Sequence, residues 1–255
     1  MKPVNTNRKS IIVIAAKEQG LKIIKRSIKL FSSKNTTFCW QGKKFPPANK
    51  YFKKKGIILH SFSDRFKEKI LKEKNKTFAW LLNLWGGEIF PKTFLLKFRR
   101  SLNVHPSYLP YGRGRDPIVW GLIRDEPLGF TFHEISSQID SGRIFYRKKI
   151  KVKFPAKGTE AYQAVLKEIP DEFAKFWKKI RNKKKIQLKK LRFQGIINKR
   201  RHLLKSQIIN LSSDQKAKGI ILKLLAFDFS RNFSLHLKYK KKIYQARLHL
   251  KETHE

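Results

Sequence analysis

The sequence predicts an α/β protein: a doubly wound, mostly parallel sheet with a small C-terminal strand-containing appendage. Three observations predict it. Short apolar runs at 11–16, 36–40, 57–61 and 78–84 are separated by polar stretches, two of them with helical signals. Strands alternating with helices build strand–helix–strand units, and those build parallel sheets. Beyond residue 195 the texture changes to clustered phenylalanines, a lysine-rich turn and an alternating run, which reads as a separate small β unit.

Taken in order, residues 1–10 are a polar, basic leader that should fray. Residues 11–16 are a buried first strand, and Leu21, Ile24, Ile28 and Phe31 follow at helical spacing. No Gly-x-Gly-x-x-Gly follows that strand, so a dinucleotide-binding reading has no support. Residues 36–40 read as the second strand, and 42–50, with Pro46 and Pro47, as a loop. Residues 57–61 read as the third strand. Asp64 is placed to cap a helix running to about Lys74. Residues 78–84 are a fourth buried strand, ending in Trp85, Gly86 and Gly87. Pro91 suits the first position of a helix through Phe98.

The next strand carries Asn103 and His105. Residues two apart on a strand share a face, so both project into one pocket. Pro106 cannot continue a central ladder, and the chain must turn there. That leaves both side chains at the strand's C-terminal end, where open α/β sheets bind ligands. Asp116 then reads as a cap, with Pro117 opening a helix to Arg124. Residues 129–135 alternate as a strand, 136–143 read as a loop, and 144–152 as another strand. Residues 159–178 form a long amphipathic pattern that Pro170 should kink or divide. The domain reading is a main domain at 1–181, a basic linker at 182–194 and a small module at 195–255. The module should hold a short helix near 220–225 and a turn near 240–242.

Composition bounds the class. A chain of 255 residues with 40% hydrophobic content can bury a core. One cysteine, Cys39, excludes an internal disulfide, suggests a reducing compartment and reads as a small core residue. No apolar run approaches the roughly 18 residues of a membrane span, and 11–16 is too short for a signal-peptide core. A cytoplasmic protein with no membrane span is expected. The net charge of +42 attracts polyanions. Compositional drift explains it equally well, because lysine, isoleucine, phenylalanine and asparagine abound together in A+T-rich coding. Charge alone therefore does not choose a substrate. No zinc-site spacing is present and no metal is expected.

The stretch 101–144 carries a resemblance. Its motifs are Asn-x-His-Pro-Ser-x-Leu-Pro (Asn103, His105, Pro106, Ser107, Leu109, Pro110), Arg-Gly-x-x-Pro (Arg113, Gly114, Pro117), Gly-x-Thr-x-His (Gly129, Thr131, His133) and Asp-x-Gly-x-Ile (Asp140, Gly142, Ile144). Four submotifs in this order resemble the formyltransferase family, which uses 10-formyltetrahydrofolate. That family includes methionyl-tRNA, glycinamide-ribonucleotide and amino-sugar formyltransferases. Tyr108 departs from its pattern, where a leucine is usual, and Gly112 and Asp116 lie on variable ground. The resemblance implies a formyltransferase-type Rossmann-like fold and catalytic residues Asn103, His105 and Asp140. It implies 10-formyltetrahydrofolate as co-substrate, in a pocket lined by Gly87, Glu88 and Ile89 and by Ser136, Ser137, Gln138 and Ile139. It places Arg113 and Arg115 beside the acceptor, with Ser107 as a helper donor or a turn cap. His133 reads as strand support rather than as a reacting group.

Formyl transfer to an amine needs a base, a donor to the developing oxyanion, and alignment. A histidine titrates near working pH, so His105 suits the base. Asn103 offers an amide N–H to the oxyanion. Asp140 either orients the imidazole or orders a relay water. The small C-terminal segment weakly resembles the appendages of sugar formyltransferases, so the expected acceptor is the primary amine of a nucleotide-linked amino sugar. The alternative is methionyl-tRNA formyltransferase acting on initiator tRNA, and a third reading is a non-catalytic nucleic-acid binder. Expected partners are the folate and an amino-sugar nucleotide, with tRNA as the alternative. The oligomeric state stays open, homodimer included.

Overall fold

The computed structural model describes residues 11–73, 77–182, 186–191, 193, 195–211, 216–229 and 233–251. The leader at 1–10 and, within the expected linker, 183–185, 192 and 194 lie outside the described residues. The strands are β1 Ile11–Ala15, β2 Thr36–Trp40, β3 Leu59–Ser61, β4 Phe78–Leu84, β5 Phe98–His105, β6 Arg113–Gly114, β7 Gly129–His133, β8 Ile144–Lys149, β9 Ile197–Asn198, β10 Ile208–Asn210, β11 Leu235–Tyr239 and β12 Lys242–Ala246. The helices are α1 Lys17–Ser27, α2 Pro46–Lys54, α3 Asp64–Lys72, α4 Lys92–Leu95, α5 Pro117–Ile123, α6 Gly158–Arg181, α7 Arg200–Ser206 and α8 Ala217–Ala226.

The large sheet has the order β3-β2-β1-β4-β5-β7-β8, and β3 through β5 run parallel. This is the expected α/β architecture. Central strands are apolar on both faces because helices cover both: Ile12, Val13, Ile14 and Leu81, Leu82 are all buried. The chain reverses its direction of winding after β3, which puts β1 beside β4. Between β4 and β5 the register sets Asn83 opposite Asn103.

By internal contacts the chain forms two compact units, 1–105 with 132–146 and 168–190, and 106–131 with 147–167 and 191–255. In the first, Phe62, Ile70, Phe78, Phe90, Phe94 and Phe98 pack with Ile12, Ile14 and Cys39, the buried small core residue. In the second, Val119 and Trp120 of α5 share a core with Leu203, Ile209, Phe227 and Leu235. A three-stranded sheet, β10-β11-β12, supplies the strand-containing appendage. Its β11–β12 hairpin turns between Tyr239 and Lys242, where the lysine run predicts it.

Several expectations need correction. Pro46 and Pro47 open α2 rather than lying in a loop, because the first helical positions need no N–H partner. The cap of α3 is Ser63, whose Oγ accepts from the Phe66 N–H, not Asp64. Helix α4 is a single turn, and Phe98 already belongs to β5. Asp116 makes no capping hydrogen bond; it is left-handed, with φ of 52°, and its Oδ1 lies 2.6 Å from Arg200. Pro170 does not divide α6, which runs unbroken from Gly158 to Arg181. The buried Ile169, Phe173, Phe176 and Trp177 continue through it, and that packing offsets one lost hydrogen bond.

Candidate active site

The site is built where β4, β5 and β7 end. Asn83 is 3% exposed, a polar side chain at the end of an otherwise apolar strand. A buried amide must find partners or lose about 1–3 kcal/mol. Asn83 finds them locally and across the strand. Its Oδ1 accepts the Gly86 N–H at 2.9 Å, and its Nδ2 donates to the Gly86 carbonyl at 3.1 Å. The same Nδ2 donates to Asn103 Oδ1 at 2.9 Å. Asn103 Nδ2 then lies 3.1 Å from His133 Nε2, and His133 Nδ1 lies 2.7 Å from the Glu134 carbonyl oxygen.

His105, two residues beyond Asn103, is 6% exposed. Its Nδ1 faces Asp140 Oδ2 at 3.6 Å, and the other carboxylate oxygen stands 3.5 Å from His133 Nε2. The two imidazole rings lie nearly perpendicular, 6.1 Å apart. Asp140 thus stands between the two imidazoles, its oxygens 3.6 Å from His105 Nδ1 and 3.5 Å from His133 Nε2. Asn103, His105 and Asp140 lie in one polar cluster, and His133 joins them.

Two loops frame this cluster. The first, after β4, is held by Gln41: its Oε1 accepts the Gly87 N–H at 2.8 Å and its Nε2 donates to Glu88 at 2.7 Å. Lys67 reaches both Glu88, at 2.9 Å, and Asp64, at 2.7 Å. These hydrogen bonds, to Asp64 and then Glu88, raise the lysine above its usual value. Ile89 is 67% exposed. The second loop links β7 to β8. Ser136 Oγ and Ser141 Oγ lie 2.8 Å apart and within 3.1 Å of the Gln138 carbonyl, so one hydroxyl donates to that carbonyl and the other to the carbonyl or to its neighbour. Ser137, Gln138 and Ile139 are exposed. The loop's base is closed by Glu134 N–H to the Arg143 carbonyl and by Arg143 to the Glu134 carboxylate at 2.7 Å.

The remaining expected site residues belong to the second unit. Ser107 is 5% exposed, with an Oγ that has no hydrogen-bond partner among the described residues, while its carbonyl accepts from Thr131 Oγ1 at 2.7 Å. Arg113 is buried, 3% exposed, and donates to the Gly195 carbonyl at 3.1 Å. Its neighbour Arg115 is exposed, its own N–H bonded to the Asn198 carbonyl. In the same unit Pro106, Pro117, Tyr162, Arg200, Phe229 and Phe233 line a cleft of about 220 Å³. Among the described residues no group of His, Cys, Asp or Glu could hold a metal ion. No described helix is long and apolar enough to cross a membrane.

Sequence reasoning missed Asn83 and Gln41. The signal for Asn83 was available: an amide inside the apolar run 78–84 must be paid for by specific partners. Gln41 offered no such signal.

The fold and cluster define a class: an α/β protein presenting an imidazole, a carboxylate and an amide donor at the carboxyl ends of a parallel sheet. Within that class, the family model described as "Formyl transferase" matches residues 6–173, and the chain belongs to this family. Over 69 residues it is 41% identical to the methionyl-tRNA formyltransferase of Borrelia garinii, which covers 26% of this chain and 22% of that protein. Over 53 residues it is 40% identical to the dTDP-4-amino-4,6-dideoxyglucose formyltransferase of Mycobacterium bovis, covering 21% of this chain and 23% of that one. The matched stretches thus span under a quarter of these two relatives' own length. The fold is shared with a 4-N formyltransferase from Francisella tularensis: TM-score 0.77, 19% identity, 97% of this chain and 99% of that one. It is also shared with the N-formyltransferase from Helicobacter canadensis, solved with folinic acid and dTDP-3-aminofucose: TM-score 0.69, 17% identity, 91% and 84% covered.

Proposed function

We propose that the protein transfers a formyl group from 10-formyltetrahydrofolate to the primary amine of a nucleotide-linked amino sugar. The observation that carries this reading is the convergence of Asn103, His105 and Asp140 at the strand ends of a formyl transferase family member. The folate and sugar-nucleotide complex of the Helicobacter canadensis protein supports the choice of substrates.

In this reading the acceptor amine attacks the formyl carbon, forming a C–N bond and an oxyanion. Asn103 has a second N–H on Nδ2, beyond the one spent on His133, and this meets the oxyanion; one such donor is worth about 3 kcal/mol. His105 turns Nδ1 to Asp140, so Nε2 takes the amine's proton. Asp140 favours the charged imidazolium. The intermediate collapses with cleavage of the bond to N10, which receives the proton, and tetrahydrofolate leaves. Gly87, Glu88 and Ile89, with Ser136, Ser137, Gln138 and Ile139, are assigned to the folate. Of the two arginines, exposed Arg115 is better placed than buried Arg113 to meet phosphate. The aromatic cleft holding Tyr162, Phe229 and Phe233 suits a nucleobase by stacking.

A second reading, formylation of methionyl-tRNA, is favoured by the 41% identical stretch and the net charge of +42. The test is formyl transfer at moderate salt to dTDP-4-amino-4,6-dideoxyglucose and to initiator methionyl-tRNA, with uncharged tRNA as competitor. Formylation of the sugar alone is expected. Salt-sensitive transfer to methionyl-tRNA, with none to an amino sugar, overturns the choice, since tRNA contacts many phosphates and a sugar nucleotide few.

A further inference from the structure

We propose that Asn83 is a positioning residue: it fixes which way round the Asn103 carboxamide faces and, through it, which nitrogen of His133 carries the proton. The argument is one of donors and acceptors. A backbone N–H can only donate, so the Asn83 atom 2.9 Å from the Gly86 N–H must be its oxygen. A carbonyl can only accept, so the atom 3.1 Å from the Gly86 carbonyl must be the Asn83 nitrogen. Gly86 thus fixes the Asn83 amide twice over.

That nitrogen also donates to Asn103, which commits Asn103 Oδ1 to the Asn83 side. Asn103 must then present its NH₂ to His133 Nε2, 3.1 Å away; that contact is shorter than the 3.5 Å to Asp140 Oδ1, so Nε2 spends its lone pair on Asn103 and carries no proton. The ring's proton goes to Nδ1, where the Glu134 carbonyl, at 2.7 Å, can only accept. The chain begins on a backbone donor and ends on a backbone acceptor, so no member can reverse alone. A side chain at Gly86 would disturb its start, because a Cβ there would lie 2.2 Å from Asn83 Oδ1.

The consequence for turnover rests on the proposed function. With the Asn103 amide in this orientation its second N–H is available to the oxyanion. Reversed, the carbonyl oxygen would take that place and repel it.

The deciding variant is Asn83→Asp, which keeps size and shape. One carboxylate oxygen still accepts the Gly86 N–H, but the other can no longer donate. Asn103 must turn its NH₂ toward residue 83 and its oxygen toward His133, which then needs a proton on Nε2. The first readout is the pair of ring ¹⁵N shifts of His133 in histidine-labelled protein, assigned by loss of the signal in His133→Gln. Wild type should show the proton on Nδ1, and Asn83→Asp should place one on Nε2. The second readout is turnover with 10-formyltetrahydrofolate and dTDP-4-amino-4,6-dideoxyglucose. There kcat should fall about 100- to 1,000-fold, the worth of an oxyanion donor, with both KM values within about threefold. Asn83→Leu, which removes the donor without forcing a reversal, should lose only about tenfold.

An unchanged His133 proton in Asn83→Asp, or a wild-type ring already protonated on Nε2, overturns the proposal. The wild-type measurement decides even if the variant fails to fold. A shifted His133 proton with no formyl transfer by wild type to any amine leaves the positioning role standing and removes the proposed function instead.

Discussion

Gly86 and Gly142 stand in two loops that frame one polar cluster, and each is a glycine for a different reason. At Gly86 a Cβ would collide with side chains, Asn83 Oδ1 at 2.2 Å and Gln41 Oε1 at 2.8 Å. At Gly142 it would collide with backbone, the Glu134 carbonyl at 1.9 Å. Side chains can rotate away at the cost of their hydrogen bonds, whereas a strand end cannot. The loop after β4 is therefore shaped by amides, Asn83 and Gln41, and its failure should be a failure of orientation. The loop after β7 is shaped by the path of the main chain, which holds Asp140 at φ of 46°, and its failure should be a failure of folding.

The largest effect should come from His105, the base of the proposed reaction. His105→Ala should lower kcat by about 100- to 10,000-fold, the usual worth of a general base, and move the melting temperature by no more than about 3 °C. A variant that keeps near-normal turnover with saturating acceptor and folate would remove the base role. Gly142→Ala should be next. Overpacking against fixed backbone costs about 1–3 kcal/mol, or roughly 3–10 °C in melting temperature for a chain of this size. Calorimetry showing an unchanged transition would erase the contrast between the two glycines. Gly86→Ala should cost little stability yet reduce kcat about tenfold or more, because Asn83 must leave its place. A large fall in melting temperature with normal kcat would reverse the assignment.

The smallest effect concerns Glu88. Lys67 is raised above its usual value of 10.5 by hydrogen bonds to Asp64 and Glu88. A raised lysine stabilises the fold fully below 10.5, and that contribution is lost as pH climbs through the higher folded value. Glu88→Gln should flatten the loss of stability above about pH 10.5 and cost under about 1 kcal/mol at neutral pH, as partly exposed pairs do. Denaturant titrations at pH 8 and 11 check this, and identical slopes for both proteins would discard it.

How far the sequence reached follows the same division. Main-chain architecture was legible: β2 and β4 begin and end at the residues their apolar runs mark. Asn103 and His105 were legible from period-two alternation and the proline after them. What escaped was set by tertiary partners. Asn83 reads as an oddity in an apolar strand until its register opposite Asn103 is known. His133, expected only to support β7, is 2% exposed and reaches Asn103 and stands beside Asp140. Pro170 violates a local rule that buried aromatics in α6 override.

The chain of amides has one property that ion pairs lack. From the Gly86 N–H to Asn103 none of its members titrates between pH 3 and pH 11, and none carries a net charge for salt to screen. The Asn103 amide is thus anchored at its Asn83 end by groups that neither titrate nor answer to salt, on a chain with net charge +42. For an experimenter this simplifies the acid limb of the proposed transfer. When turnover falls on acidification at fixed saturation, a comparison of two acceptors of different basicity separates the protein's titration from that of the substrate amine.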